Sequence, residues 1–369
     1  MKLLILGGTR FLGRHLTEQA LAAGHQVTLL HRGRSNATLF AQAEHRIADR
    51  DDAAALATAL GSTLGTAISG GRWDAAIDTS AYFPRQVKSV AAALAGRVGQ
   101  YQLVSTISVY AAFDKPGLDE TAPLATLADP TVETVTGETY GGLKALCEQA
   151  AAEGFGKRCL IARPGLLVGP HDPTGRFTWW AQRFARAQAG STVLAPGDPA
   201  GPVQCIDARD AAAWLLLQAE RDGSGSSSGD GGGIFNLTGP NTPTTVGALM
   251  DTARQTLAPA ARLEWVDEAF LLAQGVAPWT DLPVWLPRAQ AHLHEVSIAA
   301  ALARGLQCRP LAQTLADTAA WAQNFEQTSA QASPATDGGL PRPAVGLSPE
   351  REASLLAAWA AQQSGQNNG

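Results

Sequence analysis

Seven residues near the start of the chain, Gly7-Gly8-Thr9-Arg10-Phe11-Leu12-Gly13, constrain the fold more than any other stretch. They follow the apolar run Leu3-Leu4-Ile5-Leu6. They precede Arg14–Ala23, where Leu16, Ala20 and Ala23 recur at helical spacing until Gly24 stops the helix. Gln26–His31 reads as a second apolar strand. Strand, glycine turn, helix and strand make one βαβ unit. In that setting the turn lets the backbone approach a pyrophosphate at a helix N-terminus, so residues 7–13 are all candidate cofactor contacts.

The pattern repeats downstream. Asp52–Leu60 and Gln86–Leu94 read as helices, and Trp73–Asp78 and Gln100–Ser105 as strands. Tyr140–Glu153 is a further helix and Arg158–Ala162 a further strand, with strand-like pieces at Val203–Ile206 and Gly233–Leu237. Alternation of this kind predicts an α/β fold, a doubly wound parallel sheet of the Rossmann type with a smaller C-terminal α/β substrate domain. The expected division is 1–164 plus 202–237 for the dinucleotide domain and 165–201 plus 238–325 for the substrate domain. A linker at 326–347 and a helix and tail at 348–369 follow. Asp222–Gly233, rich in Gly and Ser, reads as a flexible loop. Ser348-Pro349-Glu350 starts the last helix, and its stripe of Leu355, Leu356 and Trp359 docks on the body or on another subunit.

Composition narrows the function. Apolar residues make up 45% of the 369, enough for a large core, and the net charge is −5 with no basic block. A nucleic-acid partner needs a concentrated positive face, so none is expected. The four cysteines are scattered and read as buried free thiols in a reducing compartment. No metal site is expected, since the seven histidines include no HExxH. Leu3–Leu6 is too short for a signal or membrane segment, and no other stretch approaches a span, so the expectation is a cytoplasmic protein without membrane contact.

The second strand ends in His31-Arg32-Gly33-Arg34. An acid there would hold a ribose 2′-hydroxyl; an Arg accommodates a 2′-phosphate. Arg10, Arg32 and Arg34 therefore favour NADP over NAD. Asp49 borders the adenine ring or caps the helix after it.

Tyr140 and Lys144 lie four residues apart on one helix face. A phenol is a weak base near neutrality, and an adjacent ammonium would lower its pKa. Tyr140 would then exchange a proton with a substrate oxygen while hydride moves. Thr106, in Ser105-Thr106-Ile107-Ser108 after a strand, supplies a hydroxyl to orient that oxygen, and Ser105 faces the cofactor.

These residues resemble the short-chain dehydrogenase/reductase superfamily, in its extended NAD(P)-dependent epimerase/dehydratase branch with an atypical glycine turn. GGTRFLGRHL at 7–16, LVSTISVY at 103–110, YGGLK at 140–144, ARPGLLVGP at 162–170 and VQCIDARDAA at 203–212 carry the resemblance. It implies that Thr106, Tyr140 and Lys144 are catalytic, that Arg163-Pro164-Gly165 passes the nicotinamide carboxamide, and that Thr79-Ser80-Ala81 touches the nicotinamide-side ribose. It also implies a small-molecule substrate and permits a homodimer. Arg10 departs from the usual glycine, as in relatives that bind RNA, but those have largely lost the catalytic residues that this chain keeps.

The leading expectation is an NADP(H)-dependent reductase or dehydrogenase acting on a small carbonyl or alcohol. The alternatives are a nucleotide-sugar epimerase or dehydratase with tightly held NAD, and a non-catalytic nucleotide-sensing or RNA-binding relative. On the substrate side, His171 is a candidate second acid/base, Arg176 a partner for an anionic group and Trp179 a stacking wall. Asp207 and Asp210 are expected to anchor the two domains, Asp210 as a helix cap.

Overall fold

The computed structural model describes residues 1–61, 72–223, 231–329 and 345–366. In its first half β1 (Lys2–Leu6), α1 (Phe11–Ala22), β2 (Gln26–His31), β3 (Glu44–Ile47), α2 (Ala53–Ala59), β4 (Trp73–Asp78), α3 (Pro84–Leu94), β5 (Val98–Val104), α4 (Tyr140–Phe155) and β6 (Cys159–Pro164) alternate almost without interruption. Then follow β7 (Leu166–Val168), α5 (Arg176–Ala185), β8 (Thr192–Pro196), β9 (Pro202–Val203), β10 (Cys205–Asp207), α6 (Ala208–Asp222), β11 (Gly233–Leu237), β12 (Thr244–Thr245), α7 (Val246–Leu257), β13 (Arg262–Val266), α8 (Glu268–Ala273), α9 (Ala299–Ala303), α10 (Leu311–Ser329) and α11 (Pro349–Gln366).

Seven strands form one sheet in the order β11-β6-β5-β4-β1-β2-β3, every pair parallel. Parallel strands are covered on both faces, which is why Leu3, Leu4 and Ile5 in succession are all fully buried. Leu3, Ile5 and Leu29 pack with α1 and α6 residues such as Leu16 and Leu215; Leu4, Leu6 and Leu103 pack with Val87, Val90 and Ala151 on α3 and α4. The chain leaves β1 toward β2 on one side, while β4 lies on the other. A crevice opens outside the carboxyl ends of strands at such a reversal, and ligands of doubly wound sheets bind there.

A second core gathers Phe177, Trp180 and Phe184 of α5 with Leu194, Leu249, Val266, Leu271 and Trp285. β13 pairs with β8 in parallel, and β12 with β9 in antiparallel fashion. The segment at 203–206 departs from expectation. β10 pairs with β7 and not with the main sheet, whose edge beside β6 is taken by β11. Val203 and Cys205 point into the second core and Ile206 into the first, so this strand bridges the two. The N-cap of α6 is Asp207, which accepts from Arg209 N–H; Asp210 instead binds Arg309 at 2.8 Å.

The expected linker is only partly described. α10 occupies its first residues to Ser329, and 330–344 lie outside the described residues, as do 224–230 of the Gly/Ser loop and 367–369 of the tail. The last helix docks on the body. Leu355 is 1% exposed in the second core, and Trp359 lies 5.1 Å from Phe270 between ring centres.

Candidate active site

The glycine turn is fitted to its neighbours at close range. Gly7 has φ +90°, and a Cβ there would lie 2.7 Å from Thr79 Oγ1; a Cβ on Gly13 would lie 2.1 Å from Gly7 O. Only glycines let the turn fold against both the end of β4 and the start of α1. Phe11 also adopts a positive φ, 37°, a strained conformation of a kind that gathers at ligand clamps. Arg10 is the N-cap of α1 with no side-chain cap bond, and the first turn holds no acid. The positive end of α1 is thus without an internal anion, and this donor set fits a pyrophosphate. Thr9 Oγ1 donates to Ser35 O at 3.0 Å, and Asn36 Nδ2 donates to Thr9 O at 3.0 Å, tying the turn to the loop after β2. Gly8 packs on Leu29 and Leu12 is in the core, so these two contribute backbone only.

Arg32 and Arg34 are exposed. Arg34 lies 3.8 Å from Asp49, while Arg32 has no ion-pair partner among the described residues. Asp49 is not the cap of α2; Asp52 is, accepting from Ala54 and Ala55 N–H. Between them Arg50 turns inward and grips Asp78 and Ser80.

Thr79, Ser80 and Ala81 link three parts of the site. Thr79 Oγ1 donates to Leu6 O at 2.9 Å, Ser80 Oγ accepts from Arg50, and Ala81 O accepts from Lys144 Nζ at 2.8 Å. Ser105, just after β5, is buried, and its hydroxyl has no hydrogen-bond partner among the described residues.

The structure brings Thr106 and Tyr140 together. Thr106 Oγ1 accepts from Ser108 N–H at 3.1 Å, donates to Ser108 Oγ at 3.2 Å, and is near enough to lower the Tyr140 pKa. The reason is Gly141, where a Cβ would lie 2.2 Å from Ser108 O. Its hydrogen side chain lets the start of α4 sit directly on the turn after Thr106. Burial pushes the Tyr140 phenol up to about 12, with the nearby Tyr82 acting the same way and the Thr106 hydroxyl opposing. Lys144 donates to Ala81 O and Val104 O, both at 2.8 Å, and is 4% exposed; burial lowers its pKa. The expectation that Lys144 lowers the Tyr140 pKa is therefore corrected. The ammonium is directed at two carbonyls, and Tyr140 rests as a neutral phenol.

Arg163 also differs from expectation. Its guanidinium is 1% exposed, pairs with Glu148 at 2.7 Å, and reaches Tyr110 Oη and Glu120 O. It fastens β6 to α4 and does not face a ligand. Pro164 closes β6 opposite Leu237, and a Cβ on Gly165 would strike Thr238.

The three substrate-side candidates separate. His171 packs on His15 and Trp321 and lies 3.5 Å from Arg14, with its pKa lowered to about 4 by burial; it sits at α1 and is not a second acid/base beside Tyr140. Trp179 is covered by Gly346, where a Cβ would lie 1.9 Å from its indole nitrogen, so it is not a stacking wall. Arg176 lies over the ring of Trp279 at 5.5 Å, with its Nε buried and without a hydrogen-bond partner among the described residues. Sequence reasoning missed Tyr82, Arg50, Asp78, Gly141 and Glu148. Among the described residues there is no group of three His, Cys, Asp or Glu able to hold a metal, and no helix long and apolar enough to cross a membrane.

A doubly wound parallel sheet with a glycine turn at its reversal is the fold of the extended short-chain dehydrogenase/reductase class. Residues 3–238 match the NAD dependent epimerase/dehydratase family, and the chain belongs to that family. Among solved structures it resembles a putative epimerase from Burkholderia cenocepacia (20% identity, TM-score 0.63, covering 86% of this chain and 97% of that one). It also resembles UDP-glucose 4-epimerase from Thermotoga maritima, solved with UDP-glucose (15%, 0.62, 88% and 100%). A third is UDP-glucuronic acid 4-epimerase from Bacillus cereus, solved with NAD (14%, 0.58, 88% and 99%). No curated protein matches.

Proposed function

We propose that the protein is an NAD-dependent epimerase or dehydratase acting on a secondary alcohol of a sugar nucleotide. The observation that carries this reading is the close packing of the start of α4, which bears a half-buried Tyr140 and the buried Lys144, on the turn after Thr106, within a chain of the epimerase/dehydratase family. The turn at residues 7–13 and the open first turn of α1 would hold the pyrophosphate, with Thr79–Ala81, Ser105 and Lys144 bordering the nicotinamide ribose. When bound, the dinucleotide supplies a hydride acceptor that can return what it takes. Thr106 Oγ1 orients the carbinol oxygen. Tyr140 must first give its own proton to water; the phenolate then takes the hydroxyl proton as hydride leaves the carbinol carbon, and Tyr140 Oη returns a proton to the carbonyl oxygen as hydride comes back. Lys144, fixed by Ala81 O and Val104 O, retains one N–H for the ribose.

The relatives solved with NAD and with UDP-glucose support this reading over a reductase that releases its cofactor each turnover. A second reading, NADP(H)-dependent reduction, is favoured by the exposed Arg32 just after β2, without an ion-pair partner among the described residues, where a 2′-phosphate would sit.

The test is to denature the purified protein and quantify released nucleotide, then to incubate the intact protein with UDP-glucose and follow sugar configuration by NMR. Near-stoichiometric NAD and turnover without net NADH are expected. NADPH retained in its place, with steady consumption on carbonyl substrates, would move the second reading forward. Failure to bind either dinucleotide would sink both.

A further inference from the structure

Tyr82 lies in the loop between β4 and α3 and is 48% exposed, although its neighbours Ala81 and Lys144 are buried. Its backbone is fixed from two directions. Ala81 O accepts from Lys144 Nζ, and Gln86 Oε1 accepts from both Tyr82 N–H at 2.9 Å and Phe83 N–H at 3.2 Å. Gln86 is itself 5% exposed and donates to Asp51 Oδ1 at 2.8 Å. A loop residue tied in this way is not a loose surface side chain.

The ring is oriented by the reaction centre. Its centroid is 6.5 Å from that of Tyr140 at a tilt of 45°, and Lys144 Nζ lies 5.9 Å from it. The Tyr82 hydroxyl has no hydrogen-bond partner among the described residues. One ring therefore stands beside both reacting side chains with much of its surface in solvent. Half-exposed aromatics rimming a polar centre are common where a ligand supplies the missing packing. A pyranose fits this demand. One face of the ring carries axial C–H groups that pack on an aromatic, while its hydroxyls remain free for Thr106 and Tyr140.

We propose that Tyr82 is a substrate-contacting residue whose ring packs against the C–H face of the sugar and holds the reacting carbinol at Tyr140 Oη. This rests on the sugar-nucleotide reading above. The role belongs to the ring and not to the hydroxyl.

The experiment compares wild type, Tyr82→Phe and Tyr82→Ala by calorimetric titration with NAD, by titration with UDP-glucose and by kcat/KM on UDP-glucose. Expected are NAD affinities within about twofold throughout, Tyr82→Phe within about threefold of wild type on UDP-glucose, and a loss of about tenfold for Tyr82→Ala, the scale of one lost aromatic contact. Equal losses in both variants would overturn the ring role in favour of the hydroxyl. A selective loss of NAD affinity in Tyr82→Ala would assign the ring to the nicotinamide instead. Unchanged UDP-glucose binding in Tyr82→Ala, with wild type active, would overturn the proposal alone. A wild type that neither binds nor converts UDP-glucose would overturn the sugar-nucleotide reading and this proposal with it. Retained NAD affinity in Tyr82→Ala separates its loss on UDP-glucose from misfolding.

Discussion

Arg50 and Asp78 face each other through two hydrogen bonds, 2.8 Å to Oδ1 and 2.6 Å to Oδ2, with the carboxylate wholly buried and the guanidinium side chain 11% exposed. Tyr101 Oη donates to the same carboxylate at 2.8 Å. The guanidinium favours the charged carboxylate and holds its pKa down against burial. Removing one partner leaves a buried charge without its counterpart, which costs about 3–5 kcal/mol. Asp78→Ala should therefore lower stability by that amount in urea unfolding. A loss below about 1 kcal/mol would mean that water already reaches the pair.

This pair also marks the limit of what the sequence makes legible. Periodicity and glycine placement identify β1, α1, β2, β4 and α3, because burial on both faces leaves a direct imprint in Leu3–Leu6 and Trp73–Asp78. Thr106, Tyr140 and Lys144 stand out in the sequence through the spacing of Tyr140 and Lys144 and through the family resemblance, and their roles remain the proposal made above. Arg50 carries no local signal, and Arg163 read as a ligand contact and Trp179 as a wall, since the partners that claim them, Asp78, Glu148 and Gly346, lie far along the chain. Local pattern encodes which face is buried; it does not encode which distant side chain arrives there.

Tyr140→Phe keeps the ring and removes the proton. Turnover should fall about 10²–10⁴-fold, the range of a lost general acid/base, with dinucleotide affinity nearly unchanged. Equal activity of Tyr140→Phe and wild type would remove Tyr140 from the chemistry.

Gly141→Ala tests how Tyr140 is placed. The added methyl would meet Ser108 O at 2.2 Å, so α4 must move away from the turn bearing Thr106. A stability loss of about 1–3 kcal/mol is expected, together with a fall in turnover larger than any fall in dinucleotide affinity. Wild-type turnover in this variant would show that the Thr106–Tyr140 contact is dispensable.

Glu352 of α11 pairs with Arg183 at 2.6 Å and accepts from Leu194 N–H at 2.9 Å, while itself 5% exposed. Glu352→Ala leaves both groups short of a partner, and a loss of about 2–4 kcal/mol is expected. Because Trp359 of the same helix packs on Phe270 of α8, the tryptophan emission should shift red in the variant. An unshifted spectrum and unchanged melting temperature would show that α11 docks through its apolar stripe alone.

His294 makes stability depend on acid. Its Nδ1 accepts from Gln204 N–H at 3.1 Å, so Nε2 carries the proton and donates to Val284 O at 3.1 Å. Burial lowers its pKa from 6.5 to about 4, since a second proton would have to displace Gln204 N–H. Between those values the unfolded chain binds a proton that the folded one refuses. Stability is thus complete above pH 6.5 and falls as the pH drops toward 4, by on the order of 3 kcal/mol in total at about 1.4 kcal/mol per unit of pKa difference. His171, also lowered to about 4, acts in the same direction. Unfolding free energies at pH 7.0, 5.5 and 4.5 should therefore fall steeply in the wild type. In His294→Gln, whose amide can still accept from Gln204 and donate to Val284, they should fall less steeply. Parallel pH dependence in the two proteins would show that His294 does not titrate in this range.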